Sequence, residues 1–115
     1  MPIRLFHNPR CSKSRQALAL LREHGVEPEV VEYLKQPPTP AELEELLALL
    51  DLQPRQLMRK SEAVYKELGL DDPALTPAAL IDAMAAHPIL IERPIATDGK
   101  RAVLGRPPEK VLELL

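Results

Sequence analysis

The first 34 residues of the chain alternate between strand-like, helix-like and strand-like patterns. Ile3 to Phe6 form a short run that favours a strand and leads into a proline-containing turn. From Ser12 to His24 leucine and alanine recur at helical spacing, and Gly25 stands where a helix C-terminus is expected. Glu29 to Leu34 is again rich in residues that favour strands. This order favours a parallel strand pair joined by a right-handed crossover, which indicates an α/β fold.

The following segment, from about residue 39 to 88, is predicted to be helical. Thr39–Glu42 combines an N-cap hydroxyl, a proline at the first helical position and a capping-box glutamate. Thr76–Pro77 repeats the start signal, for a helix that ends before Pro88. Between them, Ser61 is expected to cap a short helix that runs to Leu68.

Residues that favour strands return at Ile89–Ile91 and at Ile95–Thr97. Asp98–Gly99 is the strongest hairpin signal of the chain and joins the second of these runs to a strand at Arg101–Leu104. A last helix is predicted from Pro107 onward, with three apolar residues facing the core: Val111, Leu112 and Leu115. Together these elements predict a mixed sheet with a helical insertion.

Length and composition fit one globular domain, 1–115, with the helical insertion at about 39–88. The 15 basic and 17 acidic residues give a formal net charge of −2. A net charge this small lacks the excess of positive charge that nucleic-acid binding needs, and the aromatic content of 3% provides few rings on which bases could stack. Apolar runs of the roughly 20 residues that a membrane span needs are missing from the sequence.

The single cysteine excludes an internal disulfide and a zinc site built from several cysteines. The N-terminal residues lack the basic and then apolar pattern of a signal peptide. We therefore expect a cytoplasmic protein that keeps a reduced thiol and holds no metal and no bound organic cofactor.

Cys11 is the centre of the candidate site. It follows a strand and a turn and stands at the predicted start of a helix, where unpaired N–H groups and the helix dipole favour the thiolate. Ser14 and Arg15 follow at spacings that share the Cys11 face, so we expect Ser14 to donate a hydrogen bond to the sulfur and Arg15 to add positive charge. His7 is expected either to pair with the thiolate or to be a structural residue held by hydrogen bonds. Asn8 is expected to shape the turn, with a second role in hydrogen-bonding a bound anion.

Spacing tests two familiar thiol chemistries. A dithiol oxidoreductase needs Cys-x-x-Cys, but the second position here is Ser14, so a disulfide of Cys11 must involve another molecule. A phosphatase-type loop needs an arginine six positions after the cysteine, where this chain has Ala17. We therefore expect an enzyme with one reactive thiol, in which the positively charged side chains of the site come from other parts of the chain.

Three distant arginines are candidates for those cations. Arg59 ends an apolar stretch, Arg93 precedes Pro94 at a strand start, and Arg106 follows Gly105 at the start of the last helix. Taken singly, each is also compatible with a solvated surface charge or an ion-pair partner. Taken together they are suited to an oxyanion, because the planar guanidinium fork matches tetrahedral oxyanions.

Four blocks of this sequence, in this order, resemble the glutaredoxin-coupled arsenate reductase (ArsC) family, closest to its YfgD-like subgroup. The blocks are His7–Arg15 (HNPRCSKSR), Leu57–Lys60 (LMRK), Glu92–Ile95 (ERPI) and Gly105–Pro107 (GRP). The resemblance runs from residue 3 to the C-terminus and implies a thioredoxin-like α/β fold.

The resemblance also implies roles for the candidate residues. Cys11 is the nucleophile, His7 matches the histidine that promotes its ionisation, and Pro94 occupies the position of a cis-proline. The arsenate ligands that it implies are Arg59, Arg93 and Arg106. The implied reaction forms a thiol–arsenate adduct on Cys11 with glutathione as co-substrate, and glutaredoxin resolves the mixed disulfide. A monomer is expected.

One departure from the family pattern keeps other functions open. The better-known arsenate reductases carry Gly-Thr-Ser after the cysteine, whereas this chain carries Ser12-Lys13-Ser14. One alternative is a glutathione-dependent thiol oxidoreductase with a substrate other than arsenate. A second is a regulator of the Spx type, although Ser14 removes the Cys-x-x-Cys redox switch of such proteins.

Overall fold

A computed structural model of the chain describes residues 2–115. The chain forms two compact units, one made of the chain up to Gln36 together with Arg93–Leu115, and the other of Pro37–Glu92. The elements of the first, the sheet unit, are β1 (Arg4–His7), α1 (Ser12–Glu23), β2 (Glu29–Glu32), β3 (Ile95–Thr97), β4 (Ala102–Leu104) and a 3-10 helix (Pro108–Leu114). Those of the second, the helical unit, are α2 (Pro40–Leu50), α3 (Pro54–Leu57), α4 (Ala63–Glu67), α5 (Pro77–Ala86) and a 3-10 helix (Pro88–Leu90).

The four strands form one mixed sheet in the order β2-β1-β3-β4. β1 and β2 are parallel, with His7 opposite Glu32. β3 runs antiparallel to both β1 and β4, and Ile95 lies opposite Phe6 on one side and Leu104 on the other. The predicted α/β class with a mixed sheet is therefore confirmed.

The core of the sheet unit lies between the sheet, α1 and the C-terminal 3-10 helix, which packs on α1. Helical spacing places Ala17 and Leu21 of α1 on the buried face, where both are completely buried. The apolar cluster consists of Ile3, Leu5, Ala17, Leu21, Ala96, Val111 and Leu114. This packing fixes the start of α1, and with it Cys11, against the end of β1.

In the helical unit the predicted start signals are confirmed at α2 and α5. The Thr39 hydroxyl accepts a hydrogen bond from the Glu42 N–H at 3.1 Å, and the Glu42 carboxylate accepts one from the Thr39 N–H at 3.1 Å. The Thr76 hydroxyl accepts from the Ala79 N–H at 3.1 Å. Among residues 2–115 the helices are all too short or too polar to cross a membrane.

Two of the helix and strand predictions in this unit are wrong. The short helix begins at Ala63 with Glu62 as its N-cap, so Ser61 does not cap it. Ile89–Ile91 is not a strand: Pro88–Leu90 forms a 3-10 helix, and Ile91 alone makes a bridge to Met58. Proline is well placed in a first helical turn, which explains why the segment after His87 turns rather than extends. The short helix α3 was not predicted.

The C-terminal helix is also different from the prediction, because it is a 3-10 helix. Its repeat of three residues places Val111 and Leu114 on the buried face. Leu112 is half-buried, and Leu115, predicted to face inward, is 54% exposed.

Gly105 generates a prediction about packing in the sheet unit. A Cβ added there would lie 2.7 Å from Cγ of Pro94 and 3.1 Å from Cγ1 of Val111. We expect Gly105→Ala to lower the free energy of unfolding by about 1–3 kcal/mol, because a rigid ring and a core side chain must both shift. Urea unfolding followed by circular dichroism measures this loss.

Gly69→Ala provides the comparison for this variant. Nothing lies within 4 Å of the added Cβ there, and only the φ of 64° opposes the alanine. A loss at Gly105 that does not exceed the loss at Gly69 would contradict the close approach of Gly105 to Pro94.

Candidate functional site

The register of the sheet brings the candidate residues of the sheet unit to one edge. β1 ends at His7 and leads into the loop that carries Cys11. β3, which is antiparallel to β1, begins opposite Phe6, so Arg93 and Pro94 precede it at this same edge. β4 ends at Leu104 opposite Ile95, and Arg106 follows there. The thiol loop and two of the three predicted arginines therefore share one edge of the sheet.

Cys11 is the N-cap residue of α1, with an extended backbone (φ −92°, ψ 122°) and a half-buried side chain. Its N–H donates to the Asn8 carbonyl at 3.0 Å, and its own carbonyl accepts from the Arg15 N–H at 3.0 Å. Side chains at this position lie beside the unpaired N–H groups of the first helical turn. These groups and the helix dipole favour an anion, which a thiolate is.

The hydroxyl of Ser14 is completely buried and holds the loop before Cys11 in place. Its Oγ lies 2.6 Å from Nδ1 of His7 and accepts a hydrogen bond from the Asn8 N–H at 3.0 Å. The spacing of Ser14 and Cys11 predicts a hydrogen bond from this hydroxyl to the sulfur of Cys11. The structure instead engages Ser14 with the end of β1, because the loop folds back over the first turn of α1.

Asn8 and Arg15 complete the support of this loop. The Asn8 side-chain oxygen accepts from the Arg10 N–H at 3.0 Å, which closes a turn of the Asx type. Nη1 of Arg15 donates to the Pro9 carbonyl at 2.8 Å. The predicted positive charge of Arg15 is thus placed against the loop backbone, and Asn8 shapes the turn.

His7 is buried, with 6% of its surface exposed. Burial lowers the pKa of His7 below its ordinary value, and the charges of Arg22 and Arg15 lower it further, while Glu32 opposes them. His7 is therefore the neutral imidazole at neutral pH, a form that is able to accept a proton.

Arg93 and Arg106 are joined directly, because Nη1 of Arg106 donates to the Arg93 carbonyl at 3.1 Å. Both are half-buried. The Arg93–Pro94 peptide bond is cis, as the family resemblance implies, and the Arg106–Pro107 bond is also cis, which no sequence feature predicted. The Gly105 N–H donates to the Pro94 carbonyl at 2.8 Å, which ties the two arginine segments together.

Arg59, the third predicted arginine, belongs to the helical unit. Its N–H donates to the Leu90 carbonyl at 2.7 Å, which fixes its backbone. The guanidinium lies 3.4 Å from a carboxylate oxygen of Glu62 and 3.9 Å from one of Glu92, and 21% of the side chain is exposed. Arg59 is thus a half-buried cation with two acidic neighbours in its own unit.

These features define a class: an α/β protein of thioredoxin-like fold with a helical insertion and one cysteine at the start of its first helix. The match to the ArsC family covers residues 6–114. The chain belongs to the ArsC family.

Individual relatives agree with this assignment. The uncharacterized protein YfgD of Escherichia coli K12 is 53% identical over 98% of this chain and 96% of its own length. An arsenate reductase of Neisseria meningitidis serogroup A is 50% identical over 98% of this chain and 97% of its own. The solved structure of an arsenate reductase from Vibrio cholerae superposes with a TM-score of 0.97 at 50% identity and covers all of this chain and 98% of that one.

The Ser14 contacts generate a prediction about stability. We expect Ser14→Ala to lower the free energy of unfolding by about 1–3 kcal/mol, because it leaves the buried Nδ1 of His7 and the Asn8 N–H without their partner. Chemical denaturation measures the loss. Ser12→Ala is the matched control on the exposed face of the same helical turn, and we expect it to change stability by less than about 0.5 kcal/mol. Equal effects of the two variants would contradict the role assigned to Ser14.

The lowered pKa of His7 generates a prediction about pH. The unfolded chain binds a proton at this histidine more readily than the folded protein, so stability is highest above the unfolded pKa and falls as pH falls through the folded pKa. We expect the wild type to lose more stability than His7→Gln when pH is lowered from 7 to 5. Thermal unfolding across this range measures the difference. A His7→Gln curve parallel to the wild type would refute the assignment.

Proposed function

We propose that this protein is an arsenate reductase that uses glutathione as co-substrate and glutaredoxin to regenerate its thiol. Membership of the ArsC family and the arsenate reductases at about 50% identity support the substrate. The observation that carries the proposal is the position of Cys11 at the start of α1, on the sheet edge that also carries Arg93 and Arg106.

The first step joins the thiol to arsenate. The Cys11 thiolate attacks As(V), so that an S–As bond forms and one As–O bond breaks; the leaving hydroxide takes up the proton that the thiol gave away and departs as water, which leaves a thiol–arsenate adduct. Guanidinium groups offset the charge on the arsenate oxygens, and their paired N–H donors suit a tetrahedral oxyanion. We assign this binding to Arg93 and Arg106, whose segments are held together, and on the family resemblance to Arg59. His7, neutral at neutral pH, is suited to take the thiol proton.

The second step transfers two electrons to arsenic. The thiolate of glutathione attacks the Cys11 sulfur, an S–S bond forms, and the electron pair of the S–As bond stays on arsenic, which leaves as As(III). Because Cys11 is the single cysteine of the chain, the product is a mixed disulfide with glutathione. An incoming thiolate must then break it, and we assign that exchange to glutaredoxin in the cytoplasm.

A second candidate is a glutathione-dependent thiol oxidoreductase with another substrate. It is favoured by the acidic neighbours of Arg59, since Glu62 and Glu92 compete with any anion for that guanidinium. This candidate retains Cys11 and His7 but does not need arsenate binding by the arginines.

A coupled assay tests the proposed function. NADPH consumption is followed with arsenate, glutathione, glutaredoxin and glutathione reductase, for the wild type and for Cys11→Ser. We expect arsenate-dependent turnover that disappears in Cys11→Ser, because the serine hydroxyl is a far weaker nucleophile than a thiolate. Turnover in the variant, or none in the wild type, would overturn the proposal.

The arginine assignment has its own comparison in the same assay. We expect Arg106→Ala to raise the KM for arsenate about tenfold or more, as loss of a charge-assisted hydrogen bond does. Arg101→Ala, at an exposed arginine of the same unit paired with Asp98, is the matched control and should leave the KM unchanged. Equal KM values for arsenate in Arg106→Ala and the control variant would contradict the arginine assignment and favour the second candidate function.

A further inference from the structure

A cleft of about 260 Å³ opens beside the thiol loop within the sheet unit. One wall is the loop from His7 to Arg10, whose last residue is the covalent neighbour of Cys11. The other wall is the end of β2 and the turn that follows it, with Glu32, Leu34 and Lys35. The parallel pairing of β1 and β2 creates this cleft, since the carboxyl ends of both strands meet there.

Both walls are fixed by hydrogen bonds. The N–H groups of Lys35 and Gln36 each donate to the Glu32 carbonyl at 2.9 Å, and Tyr33 anchors the turn with 1% of its surface exposed. On the other side, Asn8 closes the turn before Cys11. A site with fixed walls costs a ligand little conformational entropy on their side.

The lining of the cleft combines apolar surface with an excess of positive charge. Leu34, 41% exposed, and Pro9 supply the apolar part. Arg10 and Lys35 supply two cations against one carboxylate, that of Glu32, whose Oε1 lies 3.6 Å from Nζ of Lys35. The Lys35 side chain is 78% exposed, so its ammonium remains accessible to a second carboxylate, whereas the Arg59 guanidinium is half-buried between two. A small anionic ligand with short apolar segments fits this combination.

We propose that this cleft binds the glycyl end of glutathione, with its carboxylate at Lys35 and Arg10, during the thiol step of the proposed function, on which this inference rests. The cysteinyl sulfur of glutathione must reach the sulfur of Cys11, and its glycyl carboxylate lies no more than about 7 Å away along the extended peptide. Because Arg10 adjoins Cys11 in the chain, this short distance makes Arg10 a partner of the glycyl carboxylate.

The volume of the cleft agrees with partial enclosure of this ligand. Sites that enclose a whole drug-sized molecule measure roughly 300–1,000 Å³. The cleft is smaller and therefore holds one end of the tripeptide, while the γ-glutamyl end stays at the surface. The bound tripeptide takes part in the second step of the proposed reaction, in which the glutathione sulfur bonds to the Cys11 sulfur.

Steady-state kinetics of Lys35→Gln test this inference. We expect the KM for glutathione to rise about threefold to fivefold, the range of an exposed ion pair, with kcat and the KM for arsenate unchanged. With glutathione monoethyl ester, in which the glycyl carboxylate is blocked, the wild type and Lys35→Gln should perform alike. Lys110→Gln is the matched control at an exposed lysine of the same unit. An unchanged KM for glutathione in Lys35→Gln would overturn the inference.

A second measurement separates the inference from the proposed function because it needs no arsenate. Cys11 exchanges with oxidised glutathione to give the mixed disulfide and one reduced glutathione, and mass spectrometry follows the rate. We expect Lys35→Gln to slow this exchange about threefold to fivefold and to leave exchange with uncharged 2-hydroxyethyl disulfide unchanged. Equal effects on both disulfides, or on neither, would overturn the cleft assignment. Lack of arsenate turnover with a selective effect here would overturn the proposed function alone.

Discussion

The geometry of the candidate site depends on the buried hydroxyl of Ser14. One oxygen atom binds Nδ1 of His7, at the end of β1, and the N–H of Asn8, at the start of the loop, from the first turn of α1. A buried polar group is costly unless it is bonded, so the strand, loop and helix are restricted to one arrangement. Cys11 is carried in that arrangement at the N-cap of α1. The thiol therefore owes its position to a residue that does not bond to it.

The order and direction of the strands bring the other candidate residues of the sheet unit to the edge at which the thiol loop leaves the sheet. An antiparallel β3 next to β1 returns Arg93 and Pro94 to the edge at which the thiol loop leaves the sheet, and β4 returns Arg106. The parallel β2 brings Glu32 and its turn to this edge from the other side. Segments far apart in sequence thus bring the thiol loop and two arginines to the same sheet edge. Such a combination suits an anionic substrate and an anionic thiol co-substrate.

A structural feature was predictable from the sequence when the residues that form it lie close together along the chain. Capping at Thr39 and Thr76 was predictable, because the partners lie within one helical turn. The hairpin at Asp98–Gly99 was predictable too, since Gly99 adopts the positive φ that such turns need. The partners of the Ser14 hydroxyl were not, because they depend on the path of the loop. The cleft beside the thiol loop was not predictable from the sequence either, because it exists only once β1 and β2 are paired in register.

In the proposed reaction the single thiol, Cys11, passes through a disulfide with glutathione, and reduced glutathione forms this disulfide only while arsenate is being reduced. The most direct test is mass spectrometry of the Cys11 peptide after incubation with arsenate and reduced glutathione, with glutaredoxin left out. We expect that the mixed disulfide accumulates on Cys11, that it does not form when arsenate is omitted, and that added glutaredoxin removes it. Arsenite production without any adduct on Cys11, or an adduct that forms equally well without arsenate, would contradict it.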